Sequence, residues 1–266
     1  MTETDMLIAD VKGNIGTLTF NRPERRNALS PELLIKLHLT LREWAKQGAI
    51  RVVIITGGAG KAFSSGFDIA SIPAGLTPEM EELMKTANPL ELALSSVRNF
   101  PYPTIAMMNG YAFGAGCNLA VCCDIRIAVN DVSVGMPPAK LGLVYHPEGL
   151  RQFIEVVGMA RAREIFFSGK TYRGAEVLAM GLVNYLVPRT ELEAKTWALA
   201  EEIAVNAPLS LRGMKRIFNM LGESAVLGID AAAEADQLIA EAFRSEDLRE
   251  GQTAFFEKRT PLFKGR

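Results

Sequence analysis

Cysteine is scarce in this chain, with three among 266 residues and two of them adjacent as Cys122-Cys123. That excludes a disulfide framework, and with only two histidines it leaves no spaced set of soft ligands for a metal. A reducing cytoplasm is the expected compartment. Net charge is almost absent too, since 29 basic residues face 30 acidic ones, so no global field draws the chain to nucleic acid or to an anionic membrane. No apolar run approaches the roughly 18 residues of a membrane span. The first ten residues, MTETDMLIAD, lack the basic region and apolar core of a leader peptide. The expected partner is a small molecule.

What the chain does contain is apolar material, 48% of its residues, enough to bury a large core. Ile15–Phe20 (IGTLTF) alternates apolar and small polar residues and reads as a strand. The turn-rich NRPERRNALS follows, and Ser30-Pro31-Glu32 then supplies an N-cap, a first-turn proline and a first-turn acid. Leu33, Leu34, Leu37, Leu41 and Trp44 come next at three- and four-residue spacing, which predicts a helix burying one face. His38 lies off that stripe and is expected at the surface. Residues 51–56 (RVVIIT) and Thr104–Met108 (TIAMM) are almost continuously apolar, as strands covered on both faces are, and residues 123–129 (CDIRIAV) offer a third. Strand–turn–helix units recurring in this way predict an α/β fold. Beyond about Glu191 only helical patterns continue, broken at Ala207-Pro208 and Gly228. Residues 1–200 are therefore expected to form the core, and residues 201–266 a helical C-terminal region.

Several familiar motifs fail on inspection. In a phosphate-binding GxxxxGK[ST] loop ending at Gly60-Lys61, the first glycine would fall on Ile55 and the hydroxyl on Ala62. Gly110, Gly114 and Gly116 lack dinucleotide-binding spacing, and Ser64 and Ser65 have no histidine and acid in an order that makes a triad. Two segments of like character remain, KAFSSGFDI at 61–69 and NGYAFGAGC at 109–117, each following an apolar strand. Both place backbone N–H groups just past a strand end, and two such groups converging on one oxygen would make an oxyanion hole. Small residues serve tight strand–helix packing equally well, so spacing alone leaves both readings open.

FSSGFDI, NGYAFGAG and the closing AFFEKRTPLF resemble the enoyl-CoA hydratase/isomerase, or crotonase, superfamily, and with NRPERRNAL and GLVNYLVP the resemblance covers essentially the whole chain. It implies a crotonase-like spiral of ββα units with a helical C-terminal region, assembled as a homotrimer or homohexamer. It also implies acyl-CoA thioester substrates, with coenzyme A part of the substrate and no separate cofactor or metal. Carried over by position, the oxyanion donors are the backbone N–H groups of Phe67 and Ala115. Ser64, Ser65, Gly66, Asp68, Ile69 and Ala70 would line the adenine and pantetheine path, with Asp68 bracing the loop. Arg26 would meet the CoA phosphates, with Arg25 beside it. Phe255 and Lys258 would touch CoA from the C-terminal region.

The chain departs from the hydratases of that family at both catalytic glutamates, where it has Asn118 and Pro138. An amide does not titrate near neutral pH and cannot act as a general base, so ordinary hydration is not expected. The turn LGLVYHPEG at 141–149 carries Tyr145, His146 and Glu148 instead, and its tyrosine resembles the methylmalonyl-CoA decarboxylase branch. Decarboxylation needs no base to begin, and Tyr145 with Asn118 could orient the departing carboxylate. The histidine that this branch would want in FSSGFDI is Phe67 here. Pro147-Glu148-Gly149 resembles the turn bearing the base of some enoyl-CoA isomerases, which keeps isomerase or atypical hydratase open, with Glu148 or His146 as base. A CoA-binding scaffold without catalysis is the third possibility.

Overall fold

The computed structural model describes residues 5–68, 77–223, 228–264 and 266, apart from the side chains of Met84 and Ala231. The chain divides into two compact units, one formed by residues 1–134 and 172–221, the other by residues 135–171 and 222–266.

In the first unit, the strands β1 (Leu7–Lys12) and β2 (Ile15–Phe20) form an antiparallel hairpin. Helix α1 (Pro31–Gln47) follows. Its N-cap is Ser30, whose hydroxyl accepts from Leu33 N–H at 3.3 Å, and Gly48 ends it in the left-handed conformation. All five residues of the predicted stripe are buried, each side chain worth about 1.5–3 kcal/mol of apolar transfer. His38 corrects the sequence reading: it is half-buried, and its Nδ1 lies 2.6 Å from Ser96 Oγ. Burial, with the charge of Arg42, lowers its pKa.

The chain then repeats a pattern. β3 (Val52–Thr56) leads to the short β4 (Ala62–Ser64) and helices α2 (Pro78–Thr86) and α3 (Pro89–Arg98). β5 (Thr104–Met108) leads to the short β6 (Tyr111–Phe113) and helix α4 (Ala115–Cys122), and β7 (Ile125–Val129) leads to β8 (Ser133–Gly135). The long strands join a six-stranded sheet ordered β1-β2-β3-β5-β7 and then β10 (Tyr185–Val187), parallel beyond the first hairpin. The short ones build a four-stranded sheet, β4-β6-β8 and β9 (Thr171–Arg173). Each pass thus lays one strand in each sheet, which is how ββα turns advance as a spiral. Every residue of β3 is buried, which explains its unbroken apolar sequence.

The second unit holds α5 (Pro147–Ser168), interrupted at Gly158, while the short α6 (Ala175–Ala179), α7 (Leu192–Ala204) and nearly all of α8 (Pro208–Glu223) belong to the first. Helices α9 (Ile229–Arg244) and α10 (Glu246–Glu257) complete the second unit. The last residues fold back along α10: Leu262 N–H donates to Glu250 Oε1 at 2.8 Å, and Glu246 N–H donates to the Arg266 carbonyl at 2.7 Å. No helix among the described residues is long and apolar enough to cross a membrane.

Helix α8 has its polarity reversed. Lys215 and Asn219 are buried, Lys215 on Asp124 Oδ2 (2.7 Å) and the Tyr102 carbonyl (2.9 Å), whereas Leu209, Met214, Ile217, Phe218, Met220 and Leu221 are exposed.

Candidate active site

The loop after β4 is docked on the segment leading into α1 by three backbone hydrogen bonds. Ser65 N–H donates to the Arg26 carbonyl (3.1 Å), Leu29 N–H to the Gly66 carbonyl (2.8 Å), and Asp68 N–H to the Leu29 carbonyl (3.0 Å). The second of these settles the direction of a donor. A trans peptide points its C=O and N–H to opposite sides, so holding the Gly66 carbonyl against Leu29 turns the Phe67 N–H away from it. Gly66 makes this possible with φ +105°, a conformation that side chains rarely adopt.

The second donor is fixed in the same way. The Gly114 carbonyl accepts the first hydrogen bond of α4, from Asn118 N–H at 3.0 Å, and the Ala115 N–H of that same peptide therefore projects from the N-terminal end of the helix. Neither the Phe67 nor the Ala115 N–H has an acceptor among the described residues. The two loops lie side by side: a Cβ on Gly66 would come within 3.7 Å of Ala115 N and 2.9 Å of the Phe113 carbonyl. At Gly116 the fit is tighter still, a Cβ there meeting Ser64 Oγ at 2.7 Å. The structure thus brings the two proposed donors together, at the positive end of a helix dipole.

Two buried asparagines that sequence reasoning did not single out lock these loops. Asn27 Nδ2 donates to the Gly57 and Ala62 carbonyls, both at 3.0 Å, while its Oδ1 accepts from Arg22 N–H at 3.0 Å. Asn109 Oδ1 accepts from Gly57 N–H (3.0 Å), and its Nδ2 donates to the carbonyls of Gly60 (2.8 Å) and Ala62 (3.1 Å). The available signal was an asparagine in each of the glycine- and turn-rich connections NRPERRN and NGYAFGAG, where an amide can serve several backbone groups at once.

Ser64 is buried, its hydroxyl accepting from Gly66 N–H at 3.2 Å, so it shapes the loop from within. Ser65 is half-buried. Asp68 pairs with Arg22 at 2.9 Å. Ile69 and Ala70 lie outside the described residues. Arg26, left-handed at φ 55°, borders a cavity of about 170 Å³ with Asn27, Lys61 and Tyr111. Two cations and a phenol there suit an anionic ligand, and of the two cations Lys61 is the one that the sequence reading did not assign. Asn118 is fully buried on α4, with Nδ2 3.7 Å from Cys122 Sγ.

The second unit carries the remaining candidates. Pro138 is buried and starts the 3-10 turn Pro138–Leu141. Tyr145 is half-buried, its ring 5.2 Å from that of Phe166, which in turn packs edge-on against Phe153 at 5.0 Å. His146 is exposed and stands at the N-cap of α5, where its side chain caps nothing. Glu148, in the first turn, accepts from Arg151 on both oxygens, one of these bonds at 2.9 Å, and from Gln152 at 3.2 Å. Burial pulls the Arg151 pKa down, but the hydrogen bond and charge of Glu148, with Glu155 beside it, outweigh this and raise it. Phe255 is exposed on α10, and Lys258 is exposed at its left-handed C-cap.

Comparisons with known proteins show what the chain as a whole resembles. The sequence model described as enoyl-CoA hydratase/isomerase matches residues 10–266. A putative enoyl-CoA hydratase of Thermus thermophilus is 35% identical over 253 residues, covering 95% of this chain and 98% of the relative. The 2,3-dehydroadipyl-CoA hydratase of Escherichia coli is 33% identical over 261 residues, with 98% and 99% covered. Among solved structures, methylmalonyl-CoA decarboxylase in complex with 2-nitronate-propionyl-CoA superposes with a TM-score of 0.89 at 27% identity, over 99% of this chain and all of the other (100%).

Proposed function

Because the chain belongs to the enoyl-CoA hydratase/isomerase family and processes acyl-CoA, we propose that its reaction is the decarboxylation of a malonyl-type CoA thioester through an enolate. The observation that carries this reading is an amide at Asn118 and a proline at Pro138, the positions to which the family resemblance assigns the hydratases' glutamates. The likeness to methylmalonyl-CoA decarboxylase supports it.

In this mechanism the thioester carbonyl oxygen accepts from the Phe67 and Ala115 N–H groups. The bond between Cα and the carboxylate breaks heterolytically, its electron pair enters the thioester as an enolate, and CO2 leaves. The two donors stabilise the oxygen as it gains charge, and Cα then takes up a proton. No general base takes part in bond breaking, so an amide at position 118 is no handicap. A glutamate there would set a second negative charge against the substrate carboxylate. Tyr145 orients the departing carboxylate through its phenol, and a phenol can also donate the proton that Cα takes up. The exposed ring of Phe67 offers apolar surface beside its own N–H, which favours loss of the carboxylate charge. Glu148, engaged by Arg151, is assigned a structural role, and His146 that of a bystander.

Arg26 and Lys61 are assigned to the CoA phosphates, and Phe255 and Lys258 to a contact with CoA from the C-terminal region. The reversed helix α8 supports assembly as a homotrimer or homohexamer, since six exposed apolar side chains want a cover. Light scattering on the purified protein measures this directly. For the reaction, purified protein is incubated with malonyl-, methylmalonyl-, crotonyl- and 3-hexenoyl-CoA, and each thioester is followed by mass. Loss of CO2 from a malonyl-type ester is expected, with little addition of water to crotonyl-CoA. Fast isomerisation of 3-hexenoyl-CoA, abolished by Glu148→Gln, would replace this reading with an isomerase. Failure to bind any CoA ester would leave only the fold.

A further inference from the structure

Behind the Phe67 loop lies an ion pair that neither the sequence reading nor the proposed mechanism uses in full. Arg22, just after β2, reaches Asp68 Oδ2 with Nη2 at 2.9 Å and the Ala28 carbonyl with Nη1 at 2.6 Å. Its own backbone N–H donates to Asn27 Oδ1 at 3.0 Å. Both side chains are largely withdrawn from water, 13% exposed for Arg22 and 11% for Asp68. Asp68 follows Phe67 directly, and its N–H anchors on Leu29 as the Gly66 carbonyl does.

We infer that Arg22 is a positioning and charge-compensating residue for the oxyanion site. Two effects follow from one guanidinium. Mechanically, it ties residues 28 and 68 together, so the bridge between Leu29 and Phe67 is clamped on both sides and the Gly66–Phe67 peptide cannot rotate its N–H out of line. Electrostatically, it neutralises a carboxylate that stands one residue from a donor meant to receive negative charge. An unpaired Asp68 in this poorly solvated loop would repel the enolate as it forms, and would do so more strongly in the transition state than in the bound ester. Arg22 thereby acts on turnover more than on substrate binding.

This inference rests on the proposed enolate chemistry, and the experiment separates the two. Wild type, Arg22→Gln, Asp68→Asn and the double variant are compared for turnover of the active malonyl-type thioester. The carbonyl 13C shift of a bound, carbonyl-labelled 2,4-hexadienoyl-CoA reports polarisation of the thioester. Arg22→Gln is expected to lower kcat by about 10²-fold, the scale of losing one oxyanion donor, with KM changed by only a few fold. It should also return the carbonyl shift most of the way to its value in water. The double variant, which removes both charges and keeps two amides, is expected to recover about tenfold of the loss, the scale of removing one like-charge repulsion of about 1.4 kcal/mol. A purely structural pair predicts the opposite order, with the double variant no better than Arg22→Gln.

An unshifted carbonyl in wild type refutes the enolate reading. A wild-type shift that survives in Arg22→Gln refutes the inference and leaves that reading standing. A double variant no better than Arg22→Gln removes the electrostatic half. Should Arg22→Gln fail to fold, Arg22→Lys, which keeps the charge but gives up the reach to Ala28, carries the same test: a preserved shift with reduced order refutes the clamp, and a lost shift upholds it.

Discussion

The loops at 57–68 and 109–118 and the turn at 138–152 hold the chain's candidate chemistry in opposite ways. In the loops it resides in the main chain, and the side chains of Asn27, Asn109 and Ser64 are spent inward on holding peptide groups still. In the turn it resides in side chains, Tyr145 held by an aromatic neighbour, His146 exposed and Glu148 engaged by arginine. A backbone donor places almost no demand on residue type, so the loops can serve any reaction that passes through a thioester enolate. A side chain commits to one chemistry. On the proposed reading, the loops carry what many thioester reactions would have in common, and the turn what would single one of them out.

Distorting the loops should break this comparison most severely. Gly66→Val forces a side chain into a left-handed position and against the Phe113 carbonyl, so turnover of every accepted thioester is expected to fall about 10²–10³-fold, the effect of losing one oxyanion donor. Steady-state kinetics on two chemically different substrates checks that both fall together. Tyr145→Phe should sharpen the contrast, lowering malonyl-type turnover by about 10²-fold while product affinity measured by calorimetry stays put. Asn109→Ala removes three hydrogen bonds; the Ala62 carbonyl keeps Asn27 and Gly60 is exposed, so the buried Gly57 N–H is the group left unsatisfied, and unfolding free energy is expected to fall by about 1–3 kcal/mol, read from urea melts. The smallest effect should come from Glu148→Gln. Its pair with Arg151 is a half-exposed, one-turn contact worth about 0–1 kcal/mol, and turnover should change by less than the measurement error of a good assay.

Sequence legibility followed the same division. The long elements were readable because each contains several periods of its pattern: IGTLTF alternates, VVIIT is buried throughout, and α1 carries its cap, proline and stripe in order. The three-residue strands β4, β6, β8, β9 and β10 were not, since three residues hold barely one period and their existence depends on partners far along the chain. β1 escaped because it is an edge strand with only Leu7 buried. Position alone marked residues 67 and 115, and the structure added what aims them. The pairings Arg22–Asp68 and Glu148–Arg151 join a charge to one of several possible partners, and only coordinates choose among them. His38 was misjudged for a related reason: distance from an apolar stripe says nothing about a serine on a neighbouring helix.

The unpaired Phe67 and Ala115 amides have a further consequence, which concerns time rather than energy. Most peptide hydrogens in such a buried region sit in hydrogen bonds and trade with solvent deuterium only when the local structure opens. These two have no acceptor among the described residues, and in the free protein they should exchange within the earliest intervals that can be sampled, amid slow neighbours such as Asn118 N–H. A thioester oxygen arriving between them would close both at once. Two fast hydrogens turning slow together would therefore be an occupancy gauge that works without turnover, without a labelled ligand and whatever acyl group the thioester carries.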